Sequence, residues 1–372
     1  MNTAIVTLAA LLAAAPASAQ LSGALGKLNK AADQADKVKG FHISEPDERK
    51  IGEQVSLQIR NTFGVYQDAA VTKYVTLLGT VLAQGSSRPN LNWEFIVLDT
   101  DGVNAFAAPG GIIHITRGAL GLAKTEAELA GVLGHEITHV TEKHTIGSIE
   151  KSNMIGVTAD QVGKNGLAQE ALAKVVEQVY KNVLNNKFDR NDELEADKLG
   201  IVLADQAGYA PNGLGTLLTK IAARNKDQKE PNGMFASHPQ LDERIAKIKQ
   251  AVTAQKLAAT ALVAPRYTKT ITFDAKPITA IAVVAEGSRG LAGSGSTAKK
   301  EDEKKDEKPK GGMFGGKLGL SKGSETKSSQ TVASAGARGG VPDRDAVGGP
   351  NKSKVTVTVT PAEVAAFKKG IA

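Results

Sequence analysis

Cysteine is absent from all 372 residues. That excludes disulfides, thiolate metal sites, a cysteine nucleophile and a lipid-accepting N-terminal cysteine. Aromatic residues are few, at 4%. No stretch approaches the ~20 consecutive apolar residues of a membrane-spanning helix, so no transmembrane span is expected. An excess of one charge is missing from most of the chain. Residues 1–286 hold 30 basic and 30 acidic side chains, whereas 287–372 hold 16 and 9, which accounts for the whole net charge of +7. A neutral body argues against a dedicated nucleic-acid binder, so no nucleic-acid partner is expected. The basic tail could meet an anionic envelope surface, although a solvated linker is the plainer reading. What is present, 41% hydrophobic and 23% charged residues, suffices for a core and excludes a wholly disordered chain. The length suggests two domains, or one with appendages.

The chain divides by pattern. Residues 1–19 read as a signal peptide, with an apolar run before Pro16-Ala17-Ser18-Ala19 and cleavage expected after Ala19. Export without a lipid anchor points to the periplasm, with secretion as the alternative. A short N-terminal segment, 20–44, precedes a main domain at 45–262. There, helical spacing runs from Glu45 to Leu82, and a strand is expected at Asn92–Leu98. A strand pair follows from Val103 to Thr116 around Pro109-Gly110-Gly111. Thr125 and Glu128 form a T-x-x-E box opening a helix that carries Leu129, Val132, Leu133, Ile137 and Val140. A further helix spans Asp192–Ala207 before Gly208, and helical pattern continues to about Leu262. Beyond it, 263–286 reads as a strand pair (Tyr267–Phe273 and Ile278–Ala285), 287–352 as a low-complexity linker, and 353–372 as a strand, Val355–Thr360, followed by a capped helix.

The strongest chemical signal is His135-Glu136-Ile137-Thr138-His139. On a helix, positions i and i+4 share a face, so both imidazoles can bind one zinc ion. Glu136 is turned by about 100° from His135 and can reach an attacking water rather than the metal. A surface helix with two ordinary histidines is the rival reading. It is disfavoured because the motif lies centrally in a capped amphipathic helix. A catalytic zinc also needs a third protein ligand. A histidine six residues after His139 is excluded, because that position is Thr145; His144 reads as a structural hydrogen-bonding residue. The segment Arg190–Asp197 offers Glu193 as ligand and, on the same face, Asp197 as acceptor for a ligand imidazole. On spacing alone, a charged solvated face fits that segment equally well. His42 and His114 have no partner at ligand spacing and read as structural.

Together these residues resemble the zinc metallopeptidase family that includes HtpX, BepA, the mitochondrial Oma protease and the prenyl-protein CAAX endopeptidases. Four segments match in order: Asn104 to Gly111, His135 to His139 with His144, Glu193 to Asp197, and His238-Pro239 with Arg244. The resemblance covers roughly 45–249. It implies a zincin-type α+β fold, mostly helical with a small mixed sheet, to which the C-terminal β/α appendage is added. It also implies one Zn2+ per chain on His135, His139 and Glu193, with Glu136 as base. Asn104, Ala105, Phe106 and Ala107 would form the cleft edge that receives substrate, as an extended peptide adds to an open strand. His238 matches a family histidine that approaches the zinc, as oxyanion donor or as a latch on the open position. Arg244 would orient that loop or pair with a carboxylate. The membrane helices of HtpX and the tetratricopeptide array of BepA are missing, which points to a soluble exported branch. The expected function is hydrolysis of unfolded or misassembled envelope proteins. A latent, chaperone-like binding protein and an envelope-anchoring protein acting through its basic tail are the alternatives.

Overall fold

The computed structural model describes residues 43–152, 162–163, 166–167, 169–185, 188–227, 240–281 and 351–371. The expected signal peptide, residues 287–350 of the expected linker, and His42 and His238 lie outside the described residues.

Ser44 caps α1 (Glu45–Phe63), its hydroxyl accepting the Asp47 N–H at 3.3 Å. Ile51, Val55, Ile59 and Phe63 bury one stripe at four-residue spacing. Gly64, at φ 73°, ends the helix, and Asp68 caps α2 (Ala69–Ala83). The continuous pattern from Glu45 to Leu82 is therefore two helices. A three-stranded sheet follows: β1 (Glu94–Leu98), β2 (Ala105–Ala108) and β3 (Ile112–Thr116), in the order β1-β3-β2. β1 runs parallel to β3 and β2 antiparallel to it, with Phe106 opposite His114. The β2–β3 turn requires Gly110 and Gly111, at φ 72° and 94°. β2 is an edge strand, yet all four of its residues are buried. Ala105 and Ala107 join the α2 core, while Phe106 and Ala108 join the α1 core.

After the short α3 (Arg117–Leu122) comes the central helix α4 (Glu126–Thr141). Thr125 caps it, accepting the Glu128 N–H at 3.2 Å, but the Glu128 carboxylate accepts from Lys124 N–H at 2.9 Å rather than closing the box on Thr125. Next are α5 (His144–Ser152), the two-residue strands β4 (Val162–Gly163) and β5 (Gly166–Leu167), and α6 (Gln169–Asn185), which packs on α1. α7 (Arg190–Ala207) is capped by Asp189 and closed by left-handed Gly208; α8 (Gly213–Arg224) and α9 (Leu241–Ala254) follow. α7 lies directly against α4 because a glycine faces a glycine there. A Cβ on Gly134 would stand 2.6 Å from the Gly200 carbonyl oxygen, and one on Gly200 would stand 2.6 Å from the His135 amide nitrogen. Among the described residues no helix is long and apolar enough to cross a membrane.

Beyond α9 the structure corrects three expectations. Helical structure stops at Ala254, short of Leu262. Tyr267–Phe273 is not a strand: α10 (Ala264–Thr270) occupies it, with Pro265 in its first turn. Tyr267 and Ile271, which suit a strand by alternation, are also four apart; both are buried, and Tyr267 donates to the Leu120 carbonyl at 2.7 Å. Ile278–Ala280 is a single 3-10 turn, so the expected strand pair at 263–286 is absent from its described part. Val355–Thr360 also has no strand partner among the described residues. The preceding residues dock by single contacts: Val65 N–H to the Asn351 carbonyl at 2.6 Å, Gln67 to the Ser353 carbonyl at 3.0 Å, and Lys354 to Glu94 at 2.8 Å. The helix α11 (Pro361–Lys369) does form, with the full Thr360–Glu363 capping box, and Phe367 packs edge-on against Tyr74 of α2. The appendage is therefore helical and packed on the body.

Candidate metal centre

α4 presents His135 and His139 one turn apart, and the glycine crossing brings the first turns of α7 against them. The two Nε2 atoms lie 3.0 Å apart. Glu193 Oε2 is 3.6 Å from His135 Nε2, and Oε1 is 3.5 Å from His139 Nε2. This trio is the metal-compatible group found among the described residues. A tetrahedral zinc with bonds of about 2.0–2.2 Å spaces its ligand atoms by roughly 3.3–3.6 Å; the two Glu193–histidine spacings match that, the two imidazole nitrogens lie slightly closer, and the donor set fits a metal ion. Glu136, between the histidines on the same helix, is 0% exposed, and His135, His139 and Glu193 are each 2% exposed or less.

The supporting groups are buried as well. Asp197, one turn after Glu193, accepts from His135 Nδ1 at 2.9 Å. Arg244 of α9 grips Asp197 with two hydrogen bonds, Nε to Oδ2 at 2.8 Å and Nη2 to Oδ1 at 2.6 Å, and sends Nη1 to Glu193 at 3.0 Å. Burial alone would raise the Asp197 pKa; the Arg244 charge and hydrogen bonds, with His135 behind them, outweigh it and hold the carboxyl at about 2. Arg244 is correspondingly pushed above its ordinary value: burial opposes its charge, and Asp197 and Glu193 overcome that cost. Asp197 thus stays ionised to orient one imidazole, and Arg244 binds the two carboxylates of α7 together. The sequence placed these two residues near the centre without showing that one guanidinium holds both acids.

His144 is a hydrogen-bonding residue, but the sequence did not show that its partner is His139. His144 Nδ1 lies 2.9 Å from His139 Nδ1, and Phe188 stacks on the His139 ring with centroids 4.0 Å apart. In a continued helix His144 would face elsewhere. But α4 ends at Thr141, and Lys143 takes a left-handed φ of 56°, which turns the chain back. No glycine or asparagine marks that turn. Glu195 of α7 lies 3.3 Å from His144 Nε2.

Asn104 closes the start of β2: its carbonyl accepts from Thr116 N–H at 3.0 Å and Thr116 hydroxyl at 2.9 Å, while its own side chain accepts the Ala105 N–H at 2.8 Å. Ala105, Phe106 and Ala107 continue it as the sheet edge beside α4. His114 on β3 is far from this chemistry in role: its Nε2 pairs with the Ser56 hydroxyl at 2.9 Å in the opposite core.

Comparison with known proteins points to a metallopeptidase family. A family model described as Peptidase family M48 matches residues 69–252. The chain is 26% identical over 236 residues to the beta-barrel assembly-enhancing protease of Yersinia pestis, covering 60% of this chain and 47% of that protein. It is 29% identical over 183 residues to the mitochondrial metalloendopeptidase OMA1 of Schizosaccharomyces pombe, covering 48% and 52%. It is 26% identical over 220 residues to the metalloprotease YcaL of Escherichia coli, covering 59% and 85%. The chain spans about half the length of the assembly-enhancing proteases it matches.

Proposed function

Since the chain carries a peptidase family M48 domain over residues 69–252, we propose that it is a zinc-dependent endopeptidase acting on unfolded or misassembled proteins of the cell envelope. The observation that carries the reading is the convergence of His135, His139 and Glu193 around one point, with Glu136 on the same helix. His135, His139 and Glu193 would hold the ion. A zinc ion there supplies Lewis-acid polarisation of the scissile carbonyl and lowers the pKa of water toward ~7. The remaining work falls to the protein. Glu136 accepts the proton of the attacking water as the oxygen–carbon bond forms, and delivers it to the leaving amine as the carbon–nitrogen bond breaks. His238 is proposed as the donor to the developing oxyanion. Asp197 and Arg244 keep His135 and Glu193 oriented throughout.

Substrate would lie along β2. A strand edge binds a peptide through main-chain groups, which is indifferent to most side chains and therefore suits unfolded proteins. The names of the relatives, among them beta-barrel assembly-enhancing protease, support an envelope quality-control role. The signal-like residues 1–19 support export to the periplasm. The test is to purify the chain and its Glu136→Gln form, count zinc and assay casein cleavage. Both forms should carry about one zinc per chain, and the variant should lose about 10²–10⁴-fold in hydrolysis. A wild-type chain that holds zinc but cleaves no more than the Glu136→Gln form returns the reading to a binding protein.

A further inference from the structure

The two imidazoles of the centre are supported by different chemistry. His135 turns its Nδ1 to a carboxylate, Asp197. His139 turns its Nδ1 to a second imidazole, that of His144, which in turn meets Glu195. We propose that His144 is a positioning residue for the metal: it accepts a hydrogen bond from His139 and so holds that ligand in the tautomer and orientation a cation requires. Glu195 fixes the tautomer of His144 in turn. This rests on the metallopeptidase reading above.

The proton positions follow from the contacts. Two ring nitrogens 2.9 Å apart form a hydrogen bond only when one carries the hydrogen and the other a lone pair. His139 Nε2 faces His135 Nε2 and Glu193, so that atom must present its lone pair to bind a cation. A neutral His139 then carries its hydrogen on Nδ1. His144 Nδ1 is therefore the acceptor, which leaves the His144 hydrogen on Nε2, facing the Glu195 carboxylate at 3.3 Å. Each donor in the row meets an acceptor. The opposite assignment would set the His144 Nε2 lone pair against carboxylate lone pairs and turn the wrong His139 nitrogen to the site.

Burial gives the arrangement its force. His139 and His144 are 1% and 6% exposed, and Phe188 covers the His139 ring, so solvent competes poorly for these nitrogens. Glu195 is more than half exposed, so its hold on His144 is the looser link. Partners of this kind fix the ring orientation of a ligating histidine, and losing one typically weakens metal binding.

The experiment measures zinc affinity of the full chain by competition with a chromophoric chelator, with thermal melting by circular dichroism as the folding control. His144→Leu keeps bulk and removes the acceptor; it should weaken zinc binding by about 10–100-fold. His144→Asn sets a carbonyl oxygen at the same position along the side chain as Nδ1 and should stay within about threefold of the wild type. Glu195→Ala, at an exposed position, should lose about threefold. Unchanged affinity in a folded His144→Leu would overturn the proposal, as would His144→Asn falling as far as His144→Leu. If His144→Leu does not fold, unchanged affinity in Glu195→Ala overturns it instead. A wild-type chain without zinc would sink the metallopeptidase reading along with this one. Tight wild-type binding that ignores all three substitutions would sink this one alone.

Discussion

The two ends of α4 bury acids in opposite ways. At its first residue Glu126, fully buried, collects donors from the chain itself: Tyr74 at 2.7 Å, Tyr209 at 2.8 Å, and Arg266 through Nε and through Nη2 at 2.6 Å. Arg266 also donates to the Phe367 carbonyl at 3.0 Å and stacks on the Phe367 ring, which ties α11 to the body. Burial, with Glu126 beside them, pushes the Tyr74 and Tyr209 hydroxyls well above the usual tyrosine range, so both remain donors. Toward the other end of the same helix, the lone pairs of His135, His139 and Glu193 converge instead. Converging lone pairs repel unless a proton or cation lies among them. A buried acid ringed by donors is architecture; buried acceptors aimed at one point make a site.

Substitutions at the two ends should therefore act on different observables. Glu193→Ala is expected to have the largest effect, lowering peptide hydrolysis by at least about 10³-fold through lost metal, with the melting temperature measured without metal nearly unchanged. Full, tight zinc in that variant would move the third ligand elsewhere. Glu126→Leu should do the reverse. It strands Arg266 and two tyrosines, costing about 3–5 kcal/mol in urea unfolding while any refolded protein keeps its zinc affinity. A matched loss of zinc affinity would merge the two networks and break the comparison.

His114 tests a third buried polar group, distant from both ends. Burial, aided by the Arg60 charge, holds its pKa down at about 3, against 6.5 in an unfolded chain. The unfolded state therefore binds the proton first. The stability contribution is complete above pH 6.5 and is lost as pH falls toward 3. About 2–3 kcal/mol should disappear between pH 6.5 and 4.5, and His114→Leu should flatten that slope in denaturant titrations. The smallest expected effect is at the tail. Phe367→Ala removes the ring between Tyr74 and Arg266 and should cost about 2 kcal/mol. In the intact protein, a cut engineered between 282 and 350 should leave the C-terminal fragment bound on a sizing column; with Phe367→Ala it should come away more readily.

Much of the centre was legible because its signals are local. His135 and His139 share a face by helical periodicity alone, and so do Glu193 and Asp197. The Pro109-Gly110-Gly111 turn announces the β2–β3 pair through the backbone angles that only glycine adopts easily. Alternation misled in the last third of the chain. Tyr267 and Ile271 satisfy a strand and a helix equally, and the space beside α2 and α3 chose the helix. Val355, Val357 and Val359 have the composition of a strand, but among the described residues no edge pairs with them. A strand exists only with a partner, and composition does not supply one.

What the sequence by itself determined is the set of groups whose positions follow from one helix: two imidazoles and a carboxylate on α4, a carboxylate pair on α7, and the cap that starts α4. Only the tertiary structure decided how those helices meet. The crossing needs Gly134 against Gly200, residues 66 positions apart whose complementarity no local pattern records. Arg244 reaches both acids of α7 from a third helix, and His144 returns to His139 through a left-handed lysine. Periodicity fixes side chains relative to their own helix axis, whereas contact between axes depends on packing and on turns without a glycine to announce them.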